Sequence, residues 1–178
     1  MLFPNRAIIY SSPVNMKDLF DEKITYWNNV HGLNYSRLGS FFERDLFSKP
    51  YIGILKSKQL LSKPEIVLDV DLLKITTKEL SLIQSKSKFK IKKSKEGDSL
   101  IMNGISIWFD VYFNNYILST SPFHPDTHWK QTVILLPNIE GYEVTENDEI
   151  PIKFTFEQDF ENYRLYNLSI EFTSEEEE

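Results

Sequence analysis

Along most of the chain, apolar and polar positions alternate with a period of two, which puts successive side chains on opposite faces of a strand. The clearest run is Gly104 to Phe113, with Ile105, Ile107, Phe109, Val111 and Phe113 in one phase and Trp108 and Tyr112 in the other. Phe89 and Ile91 alternate in the same way with Lys88, Lys90 and Lys92. Further strands are predicted at Arg6 to Tyr10, Ile66 to Leu72, Leu80 to Ile83, Tyr116 to Leu118, Thr132 to Leu136, Ile152 to Phe156 and Leu165 to Phe172. Ser11 to Pro13 reads as the stop of the first. Many short strands separated by Asn, Pro and Gly predict a mainly β fold, an antiparallel barrel or sandwich.

Residues 15 to 50 break the alternation. Asn15 is a candidate N-cap for a helix running to Val30, with Gly32 as its left-handed stop, and Tyr35 to Phe42 predicts a second short helix. Helices this short cannot cover Phe20, Trp27, Tyr35, Phe41 and Phe42 among themselves. Another surface is expected to meet them.

Composition reinforces the strands and narrows the function. The 13 Phe, 9 Tyr and 3 Trp are strand-favouring residues. A net charge of -6 opposes wholesale nucleic-acid binding and suits basic partners. With 0 Cys there is no disulfide framework or thiolate chemistry. No apolar stretch approaches the ~18 residues of a membrane span, and Met1 to Arg6 is not a secretory signal, so a cytoplasmic or nuclear location is expected. Lys86, Lys88, Lys90, Lys92, Lys93 and Lys95 form a basic stripe that fits a solvated strand edge, and Glu175 to Glu178 a solvated acidic tail.

The densest candidate chemistry lies between two strands, in Leu118 to Thr132. Pro122 and Pro125 exclude helix and regular sheet there, yet the loop carries His124, His128 and Trp129. The local pattern alone fits a loop folded back on the barrel with Trp129 as a plug. A metal pair at His124 and His128 would need a helix that Pro125 forbids. Ser119, Asp126 and His128 supply triad residue types without a nucleophile elbow.

STSPFHPDTHWKQT, residues 119 to 132, resembles the threonine-histidine-tryptophan loop of type I protein arginine methyltransferases. NGISIWFDVYF at 103 to 113 resembles the strand before that loop, FPNRAIIY at 3 to 10 the junction with the methyl-donor domain, and KITYWNNVHGLNYS at 23 to 36 the dimerisation arm. The resemblance implies a junction strand at 1 to 14, a helical arm at 15 to 50, a barrel at 51 to 172 and a tail at 173 to 178. It implies that Thr127 and Trp129 line the arginine pocket and that His128 and Trp129 serve the catalytic site. Phe20, Tyr26, Trp27, Tyr35 and Phe41 would dock on a partner, a second copy or a catalytic methyltransferase chain. The implied substrate is an arginine-containing protein and the implied donor S-adenosylmethionine. The chain has no Gly-x-Gly, so donor binding and methyl transfer by this chain alone are not expected. The competing expectation is a non-catalytic subunit that docks on a catalytic chain or larger assembly.

Overall fold

The structure, a computed structural model, describes residues 4–93 and 100–173. Phe3, Lys95 and Glu175 to Glu178 lie outside the described residues. Eleven strands are described: β1 Arg6–Val14, β2 Tyr51–Gly53, β3 Glu65–Asp71, β4 Leu82–Lys90, β5 Leu100–Met102, β6 Gly104–Phe113, β7 Tyr116–Ser119, β8 Gln131–Leu135, β9 Tyr142–Val144, β10 Glu149–Gln158 and β11 Tyr166–Phe172. The helices are α1 Lys17–Lys23, α2 Ser36–Phe47 and α3 Thr77–Ser81. All strand pairings are antiparallel. The mainly β, antiparallel fold with few helices agrees with the sequence pattern.

The larger sheet runs β2-β8-β6-β1-β3, with β7 also on β6; a second runs β11-β10-β4, and β5 pairs β9. The two large sheets enclose one core, centred on Phe89, Ile105, Ile152 and Phe154. Their edges approach where the Ser87 hydroxyl of β4 donates to the Ile66 carbonyl of β3 at 3.3 Å. Lys86, Lys88 and Lys90 share the outer face of β4, an edge strand of its sheet, and Lys88 pairs with Glu149 at 3.0 Å.

The opposite phase of β6 is also covered. Trp108 joins Val14, Val133 and Leu135 beneath Met16, Leu19, Phe20 and Ile24, forming a second core between sheet and arm. A sheet apolar on both faces reads as a continuous apolar run, and GISIWFDVYF is one.

Several expectations are corrected. β1 continues through Ser11, Ser12 and Pro13 to Val14. The Ser11 hydroxyl donates to the Ser106 carbonyl at 2.7 Å, and Ser12 and Ser62 hydroxyls meet at 3.0 Å, so distant partners satisfy groups that would otherwise favour a turn. Pro13 accepts from Leu61 N–H on the side away from β6, where β3 no longer pairs, so its missing N–H breaks no ladder bond. The first helix stops at Lys23, not Val30, and a 3-10 turn follows at Thr25–Asn28. Gly32 does take a left-handed conformation, but as the second centre of a tight hairpin with His31, at φ 85° and 53°. Val30 and Leu33 exchange backbone hydrogen bonds across that hairpin at 2.9 and 3.0 Å. The second helix runs five residues past Phe42 to Phe47. Leu80 and Ser81 belong to α3, whose Thr76 and Glu79 form a capping box, and the strand starts at Leu82.

Candidate functional site

β6 has two partners along one edge: β8 beside Gly104 to Ile107, then β7 beside Asp110 to Phe113. Between them lies a seam at Phe109, and the proline-bearing loop leaves and re-enters through it. Its departure is fixed by Thr120, which is buried. The Thr120 hydroxyl accepts from Phe109 N–H at 3.0 Å and donates to the Phe109 carbonyl at 2.9 Å. Its return is fixed by Gln131, whose Nε2 donates to the Thr120 carbonyl at 2.6 Å.

Within the loop, Ser119 and Ser121 hydroxyls accept backbone N–H groups two residues ahead, at 3.2 and 3.3 Å. Such local bonds hold a loop whose prolines withdraw donors. Lys130 N–H reaches the Thr127 carbonyl at 3.3 Å, and Lys130 has φ 58°. That turn presents His128 and Trp129 outward. Trp129 packs its ring edge-to-face with Phe109 at 6.5 Å and with His128 at 6.2 Å. It is 55% exposed, so it is not the plug that the local pattern allowed. The Thr127 hydroxyl oxygen is buried without a hydrogen-bond partner among the described residues.

The structure does not assemble the rival chemistries. Among the described residues no three His, Asp or Glu side chains could hold a metal ion. Ser119 serves the backbone of Ser121 and makes no hydrogen bond to Asp126 or His128. Below the seam, the outer face of β1 and β6 carries an aromatic and ionic cluster. Tyr10 stacks on Trp108 at 6.2 Å, and the Arg6 guanidinium lies over the Tyr112 ring at 5.4 Å while pairing with Asp69. Burial, with Tyr112 and Asp110 nearby, pushes the Tyr10 hydroxyl up. Hydrogen bonding from Arg6 holds the Asp69 carboxyl below its usual range.

The predicted arm residues divide. Phe20 is 2% exposed and meets Phe47 at 5.8 Å, so its partners are in its own chain, contrary to the expectation that it awaits another surface. Tyr26, Tyr35 and Phe41 are exposed, Phe41 by 68%. Trp27 is half-buried, stacked on Phe42 at 5.4 Å, and its indole N–H donates to the Lys23 carbonyl at 3.2 Å. Gly39 lets α2 approach the first turn closely, since a Cβ there would lie 3.0 Å from the Ile24 carbonyl oxygen. The result is an aromatic ridge on a supported base.

Sequence reasoning missed Thr120 and Gln131. Gln131 left a signal: it stands in phase with Val133 and Leu135 on the buried side of β8, where an alternating strand would carry an apolar residue.

Comparison with known proteins bears on this site. The family described as the arginine methyltransferase oligomerization subdomain matches residues 5–177. Protein arginine N-methyltransferase 2 of Homo sapiens is 31% identical over 144 residues, 76% of this chain and 32% of the relative. The probable protein arginine N-methyltransferase 6 of Arabidopsis thaliana is 24% identical over 98% of this chain and 47% of its own length. A crystal structure of PRMT6-SAH superposes with a TM-score of 0.78 at 26% identity, covering 96% of this chain and 55% of that one. The chain thus spans between about a third and a half of the curated relatives it matches.

Proposed function

This chain belongs to the arginine methyltransferase oligomerization subdomain family, and from that premise we propose that its Trp129 loop forms the barrel side of an arginine pocket. The proposed reaction is asymmetric dimethylation of protein arginine, with S-adenosylmethionine as methyl donor. The observation that carries the reading is Trp129 itself: a large ring more than half exposed, yet braced on Phe109 in a loop fastened at both ends.

Arginine is a poor nucleophile because its positive charge is delocalised over the guanidinium and its pKa exceeds about 12. A pocket must hold that plane in register and exclude water from it. An indole face does both, since its quadrupole attracts a cation and its surface displaces solvent. In this reading Trp129 walls the guanidinium, and Thr127 sets the turn that aims it. His128 pairs with a carboxylate across the interface to the methyl-donor domain and helps manage the proton released as nitrogen is methylated. The donor's own site is not formed by these residues. The described glycines at 32, 39, 53, 104 and 141 lie in turns, a helix and strands, and no two of them have the Gly-x-Gly spacing of a donor-cradling turn. This chain by itself therefore transfers no methyl group in this reading. Tyr26, Tyr35 and Phe41 dock the arm on a partner, a second copy or a catalytic chain.

The test joins the chain to a methyl-donor domain, in the whole protein or by co-expression, and measures methylation of an arginine-glycine-rich peptide by mass spectrometry. Asymmetric dimethylarginine is expected, with Trp129→Ala lowering kcat/KM by about 100-fold or more while assembly persists. An assembled pair that stays inert, or one that makes only the symmetric product, would count against the reading. The exposed arm also fits a non-catalytic docking subunit. His128→Ala then leaves the partner's turnover unchanged, whereas the catalytic reading requires it to fall.

A further inference from the structure

We infer that Gln131 is a positioning residue, a buried amide clasp that sets the Trp129 loop and ties it to the segment by which the arm returns to the barrel. The inference rests on the proposed role of that loop and extends it to a residue that touches no substrate. Gln131 is 3% exposed and makes two bonds to two different segments. Its Nε2 donates to the Thr120 carbonyl at 2.6 Å, closing the neck of the loop. Its Oε1 accepts from Leu55 N–H at 2.7 Å.

The chemistry of the partners fixes which end of the amide points where. A carbonyl only accepts and a backbone N–H only donates, so the oxygen must face Leu55 and the nitrogen Thr120. A primary amide holds a fixed donor and a fixed acceptor on one carbon, and Asn, the other primary amide, is a methylene shorter; ionised Glu offers two acceptors, and Met has no N–H or O–H donor.

Both partners are themselves anchored. Thr120 is locked to Phe109, the residue on which Trp129 packs. Leu55 is buried in the core shared by sheet and arm, two residues beyond β2, and Gly53 of β2 pairs directly with Gln131. β2 itself follows α2 after a short connection. A displacement of the arm's return therefore reaches the loop through one rigid amide rather than through a flexible linker. The clasp offers a physical route by which docking of the arm sets the geometry of the Trp129 turn.

The experiment compares Gln131→Glu and Gln131→Met in a Trp27→Phe background. Trp108 is buried, so iodide quenching there reads Trp129. Hydrogen exchange reports the Leu55 amide, and urea unfolding reports global stability. Once ionised, which a measurement repeated at rising pH ensures, Glu keeps an acceptor for Leu55 and loses the donor to Thr120. It should preserve Leu55 protection while raising Trp129 quenching about twofold. Met should lose both, with Leu55 exchanging at least tenfold faster while unfolding stays a single cooperative transition. Glu and Met behaving alike at Leu55, or Trp129 quenching unchanged in both folded variants, would overturn the inference. Assembled with a methyl-donor domain, both variants should raise KM for the peptide more than they lower kcat. A loosened Trp129 loop with unchanged kinetics would leave the clasp standing and refute the arginine-pocket role instead.

Discussion

The barrel interior and the outer arm carry the same kind of residue to opposite ends. Phe89 and Phe154 meet edge-to-face at 6.3 Å inside the barrel and are fully buried. Phe41 and Phe42 meet in almost the same geometry at 5.8 Å on α2, yet Phe41 stands in solvent. Ring contact is therefore no measure of what a pair contributes to folding; removal of area from water is. The interior rings hold the fold together, and the ridge rings are left largely in solvent by it. Between them sits the second core, where Phe20 roots the arm on the outer face of β1, β6 and β8.

The hardest test of this contrast is truncation inside. Phe154→Ala should lose about 3–5 kcal/mol of unfolding free energy, and Phe20→Ala a loss in the same range, because both leave cavities in packed cores. Urea denaturation of each variant checks this, and a Phe20→Ala protein as stable as the parent would break the claim that the arm is rooted. Phe41→Ala is the complementary probe. Its effect on stability should stay within about 0.5 kcal/mol, while association with a partner chain, followed by sedimentation, weakens severalfold. Loss of fold without loss of association would invert the comparison.

The smallest expected effect concerns Arg6 and Asp69 on the sheet's outer face. Asp69 has its folded pKa held down, chiefly by the Arg6 hydrogen bond. Its contribution is present above the unfolded aspartate value of about 3.9 and fades as pH falls through the lower folded value. Both side chains are 40% or more exposed, so screening keeps the effect small. Asp69→Asn should lower the neutral plateau of a stability–pH curve slightly and flatten its acid limb below about pH 4 by the same small amount. An unchanged acid limb would show the pair to be energetically silent.

How much of this was legible depended on the range of the interactions involved. β6 was readable to its limits because alternation is local and apolar side chains occupy both of its faces, buried in its first half and half-buried beyond Trp108. The stop assigned at Ser11 failed because Ser-Ser-Pro is a turn signal only until Ser106 and Ser62, remote in sequence, satisfy the hydroxyls. The helix end at Lys23 was missed because Ile24 continues the apolar face: it is buried under α2 although it is no longer helical. The site was legible in a different way. Nothing in the spacing of Thr127, His128 and Trp129 separates a plug from a pocket wall; resemblance selected them, and the geometry then removed the plug. Gln131 was readable in principle, as an amide in an apolar phase, but its two partners come from segments that only the fold brings together.

The second core has a consequence for how this architecture can be cut and rejoined. Met16, Leu19, Phe20 and Ile24 belong to the arm by sequence and to the barrel by packing, since they roof Trp108 and Val133. An arm excised at residue 15 would strip that roof and leave a greasy wall facing water. A chimera that exchanges docking specificity between relatives should therefore be spliced after Ile24 and before the return at Leu55, carrying the ridge and leaving its foundation in place.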